Sequence, residues 1–205
     1  MYVVYFCKKM TLPVPQSRRD RKRLQMLAHL VGTALRLFEA LGYDAVTMEQ
    51  IAGEADVAKR TLYNHFPTKE ALLAHWIHAQ LAADLERLQA DIDRCPTFLS
   101  RVSCLLDASA RWCERHRSYM LPYLRFRFMS AGRDAPVDIA DIYASLIEAG
   151  QQSGELRTDL AARHLAVLLH HLYLGALMRW LSVPGLALQA EFRAAIDLFV
   201  TGAAS

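Results

Sequence analysis

Residues 47–66, TMEQIAGEADVAKRTLYNHF, decide how this chain is to be read. Thr47 and Gln50 form a T-x-x-Q capping box, in which a hydroxyl and an amide satisfy the first backbone N–H groups of a short helix ending near Ala55. A second helix begins around Ala58 and must finish near Phe66, because Pro67 disfavours helical backbone in the residue before it. Small Ala52, a turn residue at Asp56 and apolar Leu62 stand at the spacing of a helix-turn-helix, where the small residue lets two helices approach and the last pins the second to a core. Leu62 and Phe66, four apart, then face inward, which leaves Lys59, Arg60, Thr61, Tyr63, Asn64 and His65 for the outer faces. A helix of about eight residues is about 12 Å long, comparable with the width of the B-DNA major groove. Arginine, lysine and asparagine bond base edges, and threonine and tyrosine bond phosphates. Double-stranded DNA is the surface that needs this mixture.

Outward from this stretch the periodicity is helical almost throughout, and an all-α fold of about nine helices follows. Ser17 precedes a long helix carrying Leu24, Leu27, Ala28, Val31, Leu35 and Phe38, and Gly42 stops it. Thr68 caps another long helix, through Leu72, Leu73, Trp76, Ile77, Leu81, Leu85 and Leu88. The expected organisation is a tail over 1–16, a three-helix DNA-binding head over 17–66, and a ligand-binding and dimerisation body over 67–205. Charge supports the division: residues 1–70 hold eleven bases against seven acids and include every lysine, whereas the rest sums to slightly negative. Arg18, Arg19, Arg21 and Lys22, directly ahead of the helix-turn-helix, are candidates for phosphate or minor-groove contacts. Lys69 can add its charge to the favourable end of the following helix, and Thr47 completes the DNA-facing set.

The opening MYVVYFCKKM places its lysines after a short apolar run, which fails as an export signal. It reads as a disordered tail, or translation begins at Met10. Residues 160–181 have membrane-like length but contain Arg163, Arg179 and three histidines, so a buried helix is the better reading and no membrane partner is expected. The four cysteines show no C-x-x-C pair and read as reduced thiols of a cytoplasmic protein, with Cys113, between Arg111 and Arg115, the one candidate for reactivity.

The segment from about Leu24 to Leu73 resembles the tetracycline-repressor (TetR) family of bacterial transcriptional regulators, through ALRLFEALGYDAVTMEQIAGEADVAKRTLYNHFPTKEALL and its IA-x-x-A-x-V, TLY-x-HF and K-E-x-L elements. The resemblance implies a homodimer whose two heads read a palindromic operator and whose divergent body binds a small effector that lowers operator affinity. It also implies phosphate contact by Tyr63 and a DNA contact by His65. Two positions depart from the family pattern: Asp56 stands where glycine is common, and Ala58 where a helix-capping serine is frequent.

In the body, the densest aromatic cluster is 111–129, joined by 170–180, and the candidate effector contacts are Trp112, His116, Tyr119, Tyr123, Phe126, His170 and Tyr173. Between 160 and 190 the only charges are Arg163 and Arg179, so the last two helices are expected to pair with a second copy as a four-helix bundle through Arg163, Leu174, Met178, Phe192, Ile196 and Phe199. His75 and His78 lie one turn apart, but no further ligand completes a metal set at nearby spacing, and neither metal nor cofactor is expected. No nucleophile with its base is visible, so the chain does not read as an enzyme. The expectation is a ligand-responsive regulator associated with the nucleoid, most simply a repressor released by an apolar or aromatic effector. The alternative is an effector-independent DNA-organising protein.

Overall fold

In the computed structural model, residues 17–129 and 139–203 are described. The expected 1–16 tail, the alternative start at Met10 and Cys7 lie outside them. Among the described residues nine helices follow in order: α1 (Arg18–Leu41), α2 (Met48–Glu54), α3 (Lys59–His65), α4 (Lys69–Arg94), α5 (Phe98–Arg115), α6 (Arg117–Met129), α7 (Ile139–Gln152), α8 (Ala162–Ser182) and α9 (Leu188–Ala203).

Their ends follow local chemistry. The Ser17 hydroxyl accepts from the Asp20 N–H at 3.1 Å, and Gly42, at φ 85°, donates its own N–H to Phe38 O where α1 stops. A left-handed backbone of this kind suits glycine, which has no Cβ to clash. Thr47 and Gln50 form the reciprocal box at the head of α2 (2.8 and 3.2 Å), and Thr68 accepts from the Ala71 N–H at 3.1 Å. A second box, Thr97 with Ser100, opens α5.

The helices pack as two compact units. The first comprises the described residues up to Leu81 together with 118–129, and the second comprises 82–117 with the described residues from 139 onward. This grouping differs from a boundary at 66/67. The first thirteen residues of α4, and nearly all of α6, pack with α1–α3, because Leu72, Leu73 and Ile77 of α4 and Met120 and Leu124 of α6 are buried there. In α1 the buried side is Leu30, Val31, Thr33, Ala34 and Phe38. Leu24, Leu27 and Leu35 are only half-buried and Ala28 is exposed, so the inward face is rotated from the expected one.

In the second unit α7 packs on α8, α9 on α5 and α8, and α5 on α7. Phe98, Val102, Tyr143, Ile147, Leu169, Phe192 and Ile196 fill this core. Gly150 is required by a close approach: a Cβ there would lie 2.9 Å from Leu156 Cδ1 and 3.3 Å from Phe98 Cβ. The membrane-length helix α8 is buried on one side only. Leu165, Ala166, Leu169, Tyr173, Ala176, Leu177 and Trp180 face the core, while His164, Leu168, His171, Gly175, Met178 and Ser182 form an exposed stripe.

Candidate DNA-binding surface

The helix-turn-helix forms within the first unit from the residues that its spacing singles out. Ala52 is 2% exposed, Leu62 fully buried and Phe66 5% exposed, so α2 and α3 meet over a small residue and α3 is pinned by two apolar anchors. Asp56 carries the turn at φ 50°, a left-handed conformation that aspartate tolerates better than most side chains. The Val57 N–H donates to Ala52 O at 3.0 Å, and His29 of α1 donates from Nε2 to Ala55 O at 3.0 Å, tying α1 to the turn. Ala58 provides no side-chain cap for α3, so its backbone alone accepts from the Thr61 N–H, at 2.8 Å.

Around the buried Leu62, Lys59, Arg60, Tyr63 and Asn64 of α3 are exposed, and Thr61 and His65 are half-buried. Arg18, Arg19, Arg21 and Lys22 are all exposed along the first turns of α1. Thr47 is exposed too, but its hydroxyl already caps α2.

Two features of this surface were not visible in the sequence. The first is Glu49, in the opening turn of α2, whose Oε1 accepts from the Tyr63 hydroxyl at 3.3 Å and lies 3.8 Å from Lys59 Nζ. Desolvation and this carboxylate push the Tyr63 phenol above its ordinary value. The second is the use made of Lys69. Its ammonium donates to Tyr43 O at 2.7 Å and Val46 O at 2.9 Å and sits over the Tyr43 ring, 4.3 Å from the centroid. Expected as a phosphate contact, Lys69 spends two of its three donors on the loop ahead of α2. The Tyr43 hydroxyl in turn donates to Glu70 at 3.0 Å.

The candidate effector contacts fall into both units rather than one group. In the first, Tyr119 is buried among the rings of Phe38, Tyr43 and Trp76, with centroids 6.2, 6.4 and 5.7 Å away. Tyr123 Oη and His78 Nε2 share a hydrogen bond at 3.1 Å, and Phe126 is half-buried. His78 is pushed down to about 4 by burial first, then by the Arg127 and His75 charges. In the second unit, the Trp112 and His116 rings pack at a tilt, with centroids 4.4 Å apart. Tyr173 is buried between Phe192 (4.7 Å) and His170 (6.1 Å), its hydroxyl bonded to Ser109 at 2.9 Å and 3.8 Å from Cys113 Sγ. Burial raises the Cys113 thiol to about 11, so the cysteine that looked most reactive is held as an inert thiol.

The expected dimer residues need a sharper correction. Phe192, Ile196 and Phe199 are 1%, 2% and 7% exposed within the single chain, because the stripe they form faces α5 and α8. Arg163 pairs with Asp141 of α7, and Leu174 is half-buried. Of the six, Met178, 49% exposed, stands on an open apolar face, with Leu168 (43%) on the same stripe and Leu198 (66%) on α9.

Comparison with known proteins fits this architecture. Residues 30–75 match the family described as bacterial regulatory proteins, tetR family. The chain is 27% identical over 173 residues to the HTH-type transcriptional repressor KstR of Mycolicibacterium smegmatis, covering 82% of this chain and 79% of that one. It is 44% identical over 52 residues, a quarter of its length and 23% of the relative's, to the HTH-type transcriptional regulator TcmR of Streptomyces glaucescens. In fold it is similar to the Thermus thermophilus repressor FadR, solved with lauroyl-CoA, with a TM-score of 0.75 at 23% identity over 86% of this chain and 94% of that one. The helix-turn-helix thus lies inside the region that matches the tetR family of bacterial regulatory proteins, and relatives that align over most of the chain are transcriptional repressors.

Proposed function

We propose that this protein is a ligand-responsive transcriptional repressor that binds an operator as a homodimer, with α3 of each copy in the major groove. The observation that carries the reading is the division of α3: Leu62 is fully buried, while Lys59, Arg60, Tyr63 and Asn64 stand together on the exposed side. Seven residues of helix span about 10 Å, which fits the groove. In this reading Arg60 and Asn64 read base edges, Lys59, Thr61, Tyr63 and His65 hold backbone or flanking contacts, and Arg18, Arg19, Arg21 and Lys22 add phosphate contacts beside the groove. Lys69 and Thr47 act one step back, fixing the loop and α2 that carry the surface.

The effector is assigned to the class of apolar-chain thioesters. Two similar folds were solved with such ligands, Thermus thermophilus FadR with lauroyl-CoA and Bacillus subtilis FadR with stearoyl-CoA. For the pairing of two copies, the exposed stripe of α8 with Leu198 of α9 replaces the buried Phe192, Ile196 and Phe199. Footprinting on the gene's own upstream region, followed by titration with lauroyl-CoA, tests both parts. Protection of a palindrome that lauroyl-CoA abolishes is the expected result. Protection insensitive to acyl-CoA would overturn the effector class and leave the DNA reading standing.

A further inference from the structure

Glu49 is the one carboxylate that touches α3 among the described contacts, and one of its oxygens serves two of the candidate DNA contacts at once, Tyr63 and Lys59. No acid lies within α3 itself, and Glu54, at the other end of α2, turns instead to Arg36 of α1 at 3.1 Å. We propose that Glu49 sets how strongly the protein discriminates between operator and random DNA, by holding Lys59 and Tyr63 until a correct sequence draws them away. The proposal rests on the DNA-binding reading above and adds to it a residue that no base or phosphate needs to touch.

The physical case is one of competition. A phosphate that approaches Lys59 and Tyr63 meets the Glu49 carboxylate bonded to the same groups, and like charges disfavour the approach. In a random complex, held together by phosphate contacts alone, nothing repays the exchange, so Lys59 stays paired and releases no counterion of its own. In an operator complex, base-edge contacts from the same helix seat α3 more closely and Lys59 passes to the backbone. The carboxylate thus acts against weak, sequence-independent binding more than against the specific complex. Its position in the first turn of α2, where a negative charge is favoured, keeps it in place at little cost.

The test is Glu49→Gln, which removes the charge and keeps an oxygen able to accept from Tyr63. Binding to a mixed-sequence duplex is measured across a salt series, beside Glu54→Gln, which removes one charge from the same short helix without touching α3. For Glu49→Gln the expected result is several-fold tighter random binding and a log–log salt slope steeper by about 0.9, one further counterion released. Glu54→Gln should leave the slope unchanged. In a Lys59→Gln background, Glu49→Gln should no longer steepen it, an outcome that a change in fold would not produce. Equal slopes for the parent and Glu49→Gln, or the same steepening from Glu54→Gln, would overturn the proposal. A parent that binds neither the mixed duplex nor its footprinted site would instead overturn the DNA-binding reading, and the proposal with it.

Discussion

Lys69 grips Tyr43 twice, donating to its carbonyl oxygen at 2.7 Å while its ammonium lies 4.3 Å from the centroid of the same ring. With Val46 O at 2.9 Å, this side chain closes the loop that joins α1 to α2. Lys69→Met keeps the apolar stem and removes the donors. Hydrogen bonds from a charged group are worth about 1.5–3 kcal/mol, so a loss of that order is expected in urea unfolding. Operator and random DNA should weaken together, since the loop positions the whole of α2. An unchanged unfolding midpoint would count against the anchoring role.

His78 supplies a dependence of stability on pH. Burial against Tyr123, and then the charges of Arg127 and His75, hold it neutral down to about 4, against 6.5 for a solvent-exposed histidine in the unfolded chain. Because its folded value is lowered, the unfolded chain takes up the proton first. The contribution is complete above about pH 6.5 and is lost as pH falls toward 4, amounting to about 3 kcal/mol at most. The stability gap between the parent and His78→Gln should therefore shrink from pH 7 to pH 4. A gap constant over that window would show that His78 does not titrate as described.

Two substitutions on the last two helices should behave differently. Met178 and Leu168 are exposed on α8, so Met178→Asp should leave the fold intact and convert a dimer to a monomer in sedimentation velocity. Phe199 is buried, with its ring 6.2 Å from that of Phe98, and Phe199→Asp would place a carboxylate in the core of the chain itself. That variant should unfold rather than dissociate. A folded dimer from Met178→Asp would move the interface away from this stripe.

Ala58 leaves α3 without a side-chain cap. Ala58→Ser should therefore stabilise the protein by about 0.5–1 kcal/mol in thermal melts, with the hydroxyl accepting from an early N–H of α3. A melting temperature that does not rise would mean that those N–H groups are already satisfied.

What could be read from the sequence was what local chemistry fixes. The Thr47–Gln50 box, the stop at Pro67, the caps at Ser17 and Thr68 and the inward pair Leu62 and Phe66 each depend on neighbours a few residues away. What could not be read depends on which side of an ambiguous helix finds a partner. Helix α9 carries the clean stripe Phe192, Ile196 and Phe199, which looked like a surface for a second copy and is the chain's own core. Helix α8 is apolar on both sides, so periodicity alone does not tell Leu168 and Met178, which are exposed, from Leu169 and Leu177, which are buried. Glu49 was missed because its partners lie ten and fourteen residues further on, across the turn. The aromatic run from Trp112 to Phe126 looked like one group because it is continuous in sequence, yet the compact units divide it after Arg117.

The two-sided character of α8 limits how this protein can vary by insertion or deletion. One residue added between Ala162 and Leu165 would turn the following helix by about 100°, carrying Leu169, Tyr173 and Leu177 off the core and replacing them with neighbours from other sides. Packing and the exposed stripe would be lost in a single genetic step, whereas substitutions can alter the stripe alone. Lineages of this protein should therefore diverge along Leu168, His171, Gly175 and Met178 by point changes, at constant helix length, with length variation confined to the connections on either side.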